Sequence, residues 1–147
     1  MEKLLSIAKQ ILDENPSASL TGTLMLKLRG IDLGREPHDI DILICDYAFN
    51  LVVPKNMIFE DLGIASDGCG QKYKYDDVII DVISNGEEPE LVNGIRLGTV
   101  EKLMQQKYHY SLQNNDQSKK HHEDLVKMGF VFPEPESITR QLAVLLI

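Results

Sequence analysis

The chain has 147 residues and a formal net charge of −8, with 43% hydrophobic and 26% charged residues. This balance excludes a disordered or collagen-like chain, and the length predicts one domain over residues 1–147. The acidic charge argues against general binding to duplex nucleic acid, which requires a basic face. No apolar run approaches the ~18–20 residues of a membrane span. Since the start of the chain also lacks a signal-peptide pattern, we expect a cytoplasmic protein without membrane contact.

Two helices are predicted near the N-terminal end. Apolar residues recur at helical spacing over residues 4–12, and Pro16 ends this helix because a proline disfavours helical geometry at the residue before it. A second, short helix is predicted just after Gly22 and Thr23, and it stops near Gly30. The residues that follow, up to Pro37, contain glycine and proline and predict a loop.

Strands are predicted in the middle of the chain. Residues 39–44 read Asp-Ile-Asp-Ile-Leu-Ile, an apolar strand interrupted by two acids. Residues 72–75 alternate lysine and tyrosine, Asp76 and Asp77 indicate a turn, and residues 78–83 form a second apolar strand. The pair at 93–94, Asn-Gly, is typical of a hairpin turn between short strands.

The last third is predicted to be helical from about residue 99. Thr99 caps a helix that extends to about residue 112, and a second helix ends near Met128. A last helix is predicted from about Ser137 to Ile147, and its apolar end either docks on the core or supports self-association. Strands in the first two thirds with helices at both ends predict an α/β (α+β) fold, in which helices flank a small mixed sheet.

Asp39 and Asp41 are the first candidates for a chemical role. They are two apart on a predicted strand, so both carboxylates point to the same face. Two ionised acids side by side repel each other and are costly to bury. Water at a strand end would compensate for this, as would a basic partner or a divalent cation such as Mg²⁺, which takes carboxylate oxygens.

Asp81 is the third acid, and it stands alone in the apolar run of residues 78–83. If Val78, Ile80 and Val82 face the core, Asp81 lies on the other face. There it is either an exposed residue of an edge strand or part of a site. Beside the other two acids it would complete a three-carboxylate cluster, which can hold two divalent ions around a phosphoryl group.

Gly22 and Thr23 lead from a short apolar stretch into the second helix. A glycine allows close approach of the backbone, and amides at a helix N-terminus favour an anionic phosphate. The alternative is an ordinary turn in which Thr23 caps the helix.

The order of these features resembles the polymerase-beta-like nucleotidyltransferase superfamily. Its members have a glycine followed by Gly or Ser, a helix, an acid-x-acid strand and a third acid on a nearby strand. In this chain the corresponding parts are Leu-Thr-Gly-Thr at 20–23, the loop at 34–38, Asp-Ile-Asp-Ile at 39–42 and Asp81. Residues 33–41 resemble the small antibiotic nucleotidyltransferases that act on lincosamides and aminoglycosides. The chain is also similar to nucleotidyltransferases of abortive-infection and toxin–antitoxin systems.

The resemblance implies a nucleotidyltransferase fold and a set of roles. Asp39 and Asp41 would bind divalent ions, two Mg²⁺ with Mn²⁺ as a substitute. Asp81 would bind one ion and help to deprotonate an acceptor hydroxyl, and Gly22 and Thr23 would hold the triphosphate. The reaction would be attack of an acceptor hydroxyl on the α-phosphorus of a nucleoside triphosphate, with release of pyrophosphate. Thr23 is a departure, because the family usually has Ser or Gly there.

Two basic residues are further candidates for nucleotide binding. Arg35 precedes the acids in a loop, where it contacts phosphate or lies on the surface. Lys107 and the charged run at 119–125 would correspond to two helices of the abortive-infection proteins, although a helix lysine also commonly covers apolar surface with its stem. The acceptor is left open between a small molecule, an RNA end and a protein. The alternative function is a noncatalytic binding module of the same fold, acting as an antitoxin-like partner.

Overall fold

A computed structural model of the chain describes residues 1–45, 50–64, 70–84 and 88–133. Within these residues the helices are α1 (Glu2–Glu14), α2 (Gly22–Leu28), α3 (Val100–Ser111) and α4 (Ser118–Lys127). The strands are β1 (Ser19–Thr21), β2 (Ile40–Ile44), β3 (Glu60–Ile64), β4 (Gly70–Tyr75), β5 (Val78–Ser84), β6 (Glu90–Val92) and β7 (Ile95–Leu97). The predicted helix at 137–147, with its proposed self-association, lies outside the described residues. None of the helices in the described part of the chain has the length and apolar character needed to cross a membrane.

The strands form one mixed sheet in the order β3-β4-β5-β2-β1-β7-β6. β2 pairs with β5 in parallel, and β1 pairs with β7 in parallel. The other neighbours are antiparallel. The mixed α/β fold predicted from the sequence is therefore confirmed.

The chain divides into two compact units, residues 1–106 and residues 107–147. The first unit contains the whole sheet, α1 and α2, and the boundary falls within α3. The second unit contains the end of α3 and α4. A single domain over 1–147, with a helical part from about residue 99, stays a prediction.

The core of the first unit is formed by the apolar faces of α1 and α2 with the central strands. In β5 the alternate residues Val78, Ile80 and Val82 are buried, which leaves Asp81 on the other, half-buried face. The buried apolar residues of α1, α2, β1 and β2 are Leu4, Ile7, Ala8, Ile11, Leu12, Leu20, Leu24, Met25, Leu26, Ile40, Ile42, Leu43 and Ile44. The amphipathic spacing that predicted α1 thus reflects the face that it buries.

Strand β3 was not predicted from the sequence. Its residues, Glu-Asp-Leu-Gly-Ile, include two acids and a glycine, all of which are depleted in strands. It lies at the edge of the sheet, pairs with β4 alone, and contains a register shift between Asp61 and Gly63. Because this edge strand is exposed on both faces, it carries little of the apolar alternation that marks a strand in a sequence.

Arg96 on β7 links the end of α1 to the sheet through hydrogen bonds to backbone carbonyl groups. Its Nε donates to the carbonyl oxygen of Ala18 at 2.8 Å, and Nη2 donates to those of Asn15 at 3.0 Å and Leu12 at 2.5 Å. The last carbonyl groups of a helix have no partner within the helix, and the C-terminal end of a helix favours a positive charge. One guanidinium therefore satisfies several backbone groups at this end.

We expect Arg96→Gln to lower the free energy of unfolding by about 2–3 kcal/mol, because it removes hydrogen bonds from a charged donor to the carbonyls at the end of α1. Arg96→Lys keeps the charge but not the fork of donors, and it should recover part of this loss. Urea unfolding followed by circular dichroism measures both. An Arg96→Gln protein as stable as the parent would contradict the role given to this side chain.

Candidate active site

Four side chains lie in one row across the sheet, on the same face. Thr21 on β1 is opposite Asp41 on β2, Asp41 is opposite Asp81 on β5, and Asp81 is opposite Lys72 on β4. Residues directly opposite in neighbouring strands point to the same side of a sheet, within reach of each other. We call this set the cross-sheet row. Asp39 lies immediately before β2, two positions ahead of Asp41, and is exposed.

Lys72 provides a positive charge to this row. Its Nζ donates to Oδ1 of Asp81 at 2.7 Å, with the lysine side chain 47% exposed and that of Asp81 22% exposed. The hydrogen bond to Asp81 is the largest cause of a raised pKa for Lys72; partial burial opposes it, and the charges of Asp81, Asp39 and Asp41 add to it. All three predicted acids therefore act on one ammonium group.

Gly22, the first residue of α2, brings backbone against Asp41. Its φ of +73° is left-handed, and a Cβ at this position would overlap the carboxylate oxygen Oδ2 of Asp41. Both the conformation and the close approach require glycine. The turn between β1 and α2 is thus packed directly on one of the acids.

The remaining candidates of the first unit lie around this turn and the following loop. Thr23 is half-buried inside α2, and the N-cap of that helix is Thr21, so the alternative in which Thr23 caps the helix is wrong. Arg35 is half-buried in the loop between α2 and β2. That Gly22, Thr23 and Arg35 bind a nucleotide stays a prediction.

The donor chemistry of the acids suits a hard cation such as Mg²⁺, which binds through carboxylate oxygens and keeps several waters. Among the residues that the structure describes, no three acidic, histidine or cysteine side chains are gathered closely enough to hold a metal ion. Asp41 and Asp81 lie on the same face of the sheet, and Asp81 is bound to Lys72. Their assignment as metal ligands stays a prediction.

Lys107 has a partner that the sequence did not indicate. Its Nζ lies 2.9 Å from Oδ2 of Asp124 on α4, and the two side chains are only 8% and 1% exposed. The alternative in which its stem covers the helix surface is therefore wrong, because the whole side chain is buried. The predicted role in nucleotide binding would require this ammonium to leave a buried carboxylate, and it stays a prediction.

In the charged run at 119–125, the two histidines contact aromatic rings of the second unit. The His121 ring lies 5.2 Å from that of Tyr110, and the His122 ring stacks at 4.5 Å on Phe132. Neighbouring residues on a helix point in different directions, so these groups serve different contacts of α4.

Sequence reasoning missed Lys72 as a residue of this site, although a signal was present. Asp76 and Asp77 are the two residues between β4 and β5, and Tyr75 pairs with Val78. A two-residue turn fixes the register of a hairpin. Counting back from that turn places Lys72 opposite Asp81.

We expect Gly22→Ala to destabilise the protein by about 2–4 kcal/mol, through a left-handed φ and overlap with Asp41. Gly30→Ala is the matched control, because Gly30 also has a positive φ, +83°, but its Cβ would have open space. It should cost only about 1 kcal/mol. Adding Asp41→Ala should rescue Gly22→Ala in a double-mutant cycle followed by thermal unfolding. Equal losses for both glycines would contradict the close packing on Asp41.

We expect Lys107→Met to cost about 3–5 kcal/mol, because it removes the ammonium that is paired with the buried carboxylate of Asp124. The control is Lys119→Met, which removes an exposed lysine 3.9 Å from Glu123 on the same helix and should change stability by less than about 0.5 kcal/mol. The double variant Lys107→Met/Asp124→Leu should regain much of the loss. Denaturant unfolding measures all three, and a neutral Lys107→Met would show that this pair is not structural.

Comparisons with known proteins identify the fold. No protein-family model and no curated protein matches this sequence. Among solved structures, ANT(2")-Ia in complex with adenylyl-2"-tobramycin is 14% identical, with a TM-score of 0.55 over 85% of each chain. JHP933 from Helicobacter pylori is 17% identical, with a TM-score of 0.53 over 84% of this chain. The matched part spans 62% of the length of JHP933. ANT(2")-Ia is an aminoglycoside nucleotidyltransferase, and the chain accordingly has a nucleotidyltransferase-like fold.

Proposed function

We propose that the chain is a metal-dependent nucleotidyltransferase, which moves a nucleoside monophosphate from a nucleoside triphosphate to an acceptor hydroxyl. The observation that carries this proposal is the placement of Asp41 and Asp81 in direct register on adjacent parallel strands, with the backbone of Gly22 packed against Asp41. Two like charges side by side are unfavourable in a sheet. An arrangement of this kind is useful where a cation is to be bound.

The acids would bind Mg²⁺, or Mn²⁺ as a substitute. Asp41 and Asp81 offer carboxylate oxygens on one face beside the β1–α2 turn, Asp39 is exposed just before β2, and two ions fit the resemblance. Bound ions would supply charge neutralisation for the phosphates. Gly22 and Thr23 would orient the triphosphate at the turn, with Arg35 as a further contact from the following loop.

Asp81 is the acid proposed to take the proton from the acceptor. The acceptor oxygen forms a bond to the α-phosphorus, the bond from that phosphorus to the leaving pyrophosphate breaks, and the hydroxyl proton moves to the carboxylate. The acceptor is a small molecule, an RNA end or a protein hydroxyl. ANT(2")-Ia, solved with an adenylylated tobramycin, makes a small-molecule hydroxyl the first acceptor to test.

A noncatalytic binding module is the second candidate, and one observation favours it. The ammonium of Lys72 already neutralises Asp81 in the described structure. A chain that had lost catalysis could keep such a pair as a purely structural contact. The two candidates differ in whether metal and nucleotide bind at the acids.

We expect Mg²⁺ with a suitable nucleoside triphosphate to stabilise the parent protein by about 2.7 kcal/mol at a hundredfold excess over Kd. For a chain of this size that is a rise in Tm of roughly 5–10 °C. Asp41→Asn should abolish the shift while leaving the ligand-free protein equally or more stable, because it removes one of two like charges that lie directly opposite each other. Asp13→Asn, an exposed acid on α1, is the control that removes an equal charge elsewhere.

Thermal melts of the three proteins with each common triphosphate carry out this test. A strongly destabilised Asp41→Asn protein would assign Asp41 a structural bond instead of a binding role. If the parent shows no shift with any triphosphate, the noncatalytic module becomes the better conclusion. Where a shift is seen, labelled triphosphate and a lysate would then identify the acceptor, since transferred label marks it.

A further inference from the structure

Lys72 is hydrogen-bonded to Asp81, the carboxylate that has two roles in the proposed function. Asp81 would have to bind a cation and accept a proton, yet its Oδ1 accepts a hydrogen bond from the Lys72 ammonium at 2.7 Å. A carboxylate oxygen that receives this bond cannot at the same time be fully available to a metal ion. The contact and the proposed chemistry therefore compete for the same atom.

We propose that Lys72 is an internal counter-cation of the acidic site, which competes with the divalent ion for Asp81 and must be displaced when metal binds. This inference rests on the proposed function, because it assumes that the acids bind a divalent ion. It assigns Lys72 as a regulator of metal affinity, acting through Asp81.

The geometry allows displacement without a change in the sheet. Lys72 and Asp81 are directly opposite in the antiparallel β4–β5 hairpin, so the backbone holds the two residues together whether or not their side chains touch. The lysine side chain is 47% exposed. Since a lysine stem has several rotatable bonds, the ammonium can move into water while Asp81 stays in place.

Lys72 and a divalent ion would compete because both carry positive charge to the same carboxylates. Without metal, Asp41 and Asp81 share one face of the sheet, and the ammonium of Lys72 interacts with both of them and with Asp39. This positive charge relieves the repulsion between them. A divalent ion would supply twice the charge at the same acids, and it would make the lysine redundant.

The test is a titration of the full chain with Mn²⁺, in which electron paramagnetic resonance measures the free ion. Because Lys72→Met removes the competing cation, it should bind Mn²⁺ about fivefold more tightly than the parent, the factor that corresponds to ~1 kcal/mol for a partly exposed ion pair. Lys72→Arg keeps the charge and should stay within about twofold of the parent.

Lys74→Met is the matched control. Lys74 lies two positions along β4 on the same face, but its partners are Ile79 on β5 and Glu60 on β3, neither of which is an acid of the proposed site. Lys74→Met removes an equal charge from the same strand. Because salt screens the effect of a charge at this greater distance, we expect its Mn²⁺ affinity to differ from that of the parent by less than about twofold. Circular dichroism establishes that each variant is folded.

Equal or weaker Mn²⁺ binding by Lys72→Met than by the parent would overturn the inference and make Lys72 a residue that positions Asp81. If that binding is still lost in Asp41→Asn, the proposed metal site stands although the competition fails. If no Mn²⁺ binding depends on Asp41, both the inference and the metal site fail.

A measurement on the parent protein avoids dependence on any variant. Magnesium added to the ¹⁵N-labelled chain should shift the side-chain ammonium resonance of Lys72 as its bond to Asp81 is lost, and it should leave that of Lys74 in place. A Lys72 resonance unchanged at a Mg²⁺ concentration that saturates the site would overturn the competition.

Discussion

Two carboxylates of like charge lie directly opposite each other on the parallel strands at the centre of the sheet, Asp41 on β2 and Asp81 on β5. Such a pair is destabilising unless something compensates for it. The compensation comes from partial exposure of the acids and from Lys72 on the far side of Asp81. The repulsion between the two carboxylates therefore bears on the residues that contact them, Lys72 and Gly22.

Gly22 packs against the Asp41 carboxylate, and this contact limits which residue can stand at position 22. Behind the acids, Ile40 and Ile42 are completely buried, and they hold β2 in a fixed register with its neighbours. Since the strand cannot shift without exposing those side chains, the Asp41 carboxylate must fit where it is. The turn into α2 gives it room only because residue 22 has no side chain.

Two lysine–aspartate pairs show how burial separates a structural ion pair from an exchangeable one. Lys107 and Asp124 are almost completely buried, so removal of either charge would leave the other in an apolar environment away from water. Lys72 and Asp81 are partly exposed, and water can solvate the ammonium if it leaves. The sequence drew attention to Lys107, whose burial and partner are properties of the folded chain, and not to Lys72, although the β4–β5 turn places Lys72 opposite Asp81.

The sequence by itself determined the elements whose signals are local. The apolar spacing of α1, the turn at Asn93-Gly94 and the alternation of β5 each act within a few residues, and the turn at Asp76-Asp77 places Lys72 opposite Asp81. Only the tertiary structure decided that β2 pairs with β5, that β3 joins the sheet edge, and that Lys107 meets Asp124. β2 and β5 are far apart in the sequence, and Lys107 is 17 residues from Asp124, so these contacts are set by packing of the folded chain and not by a local pattern.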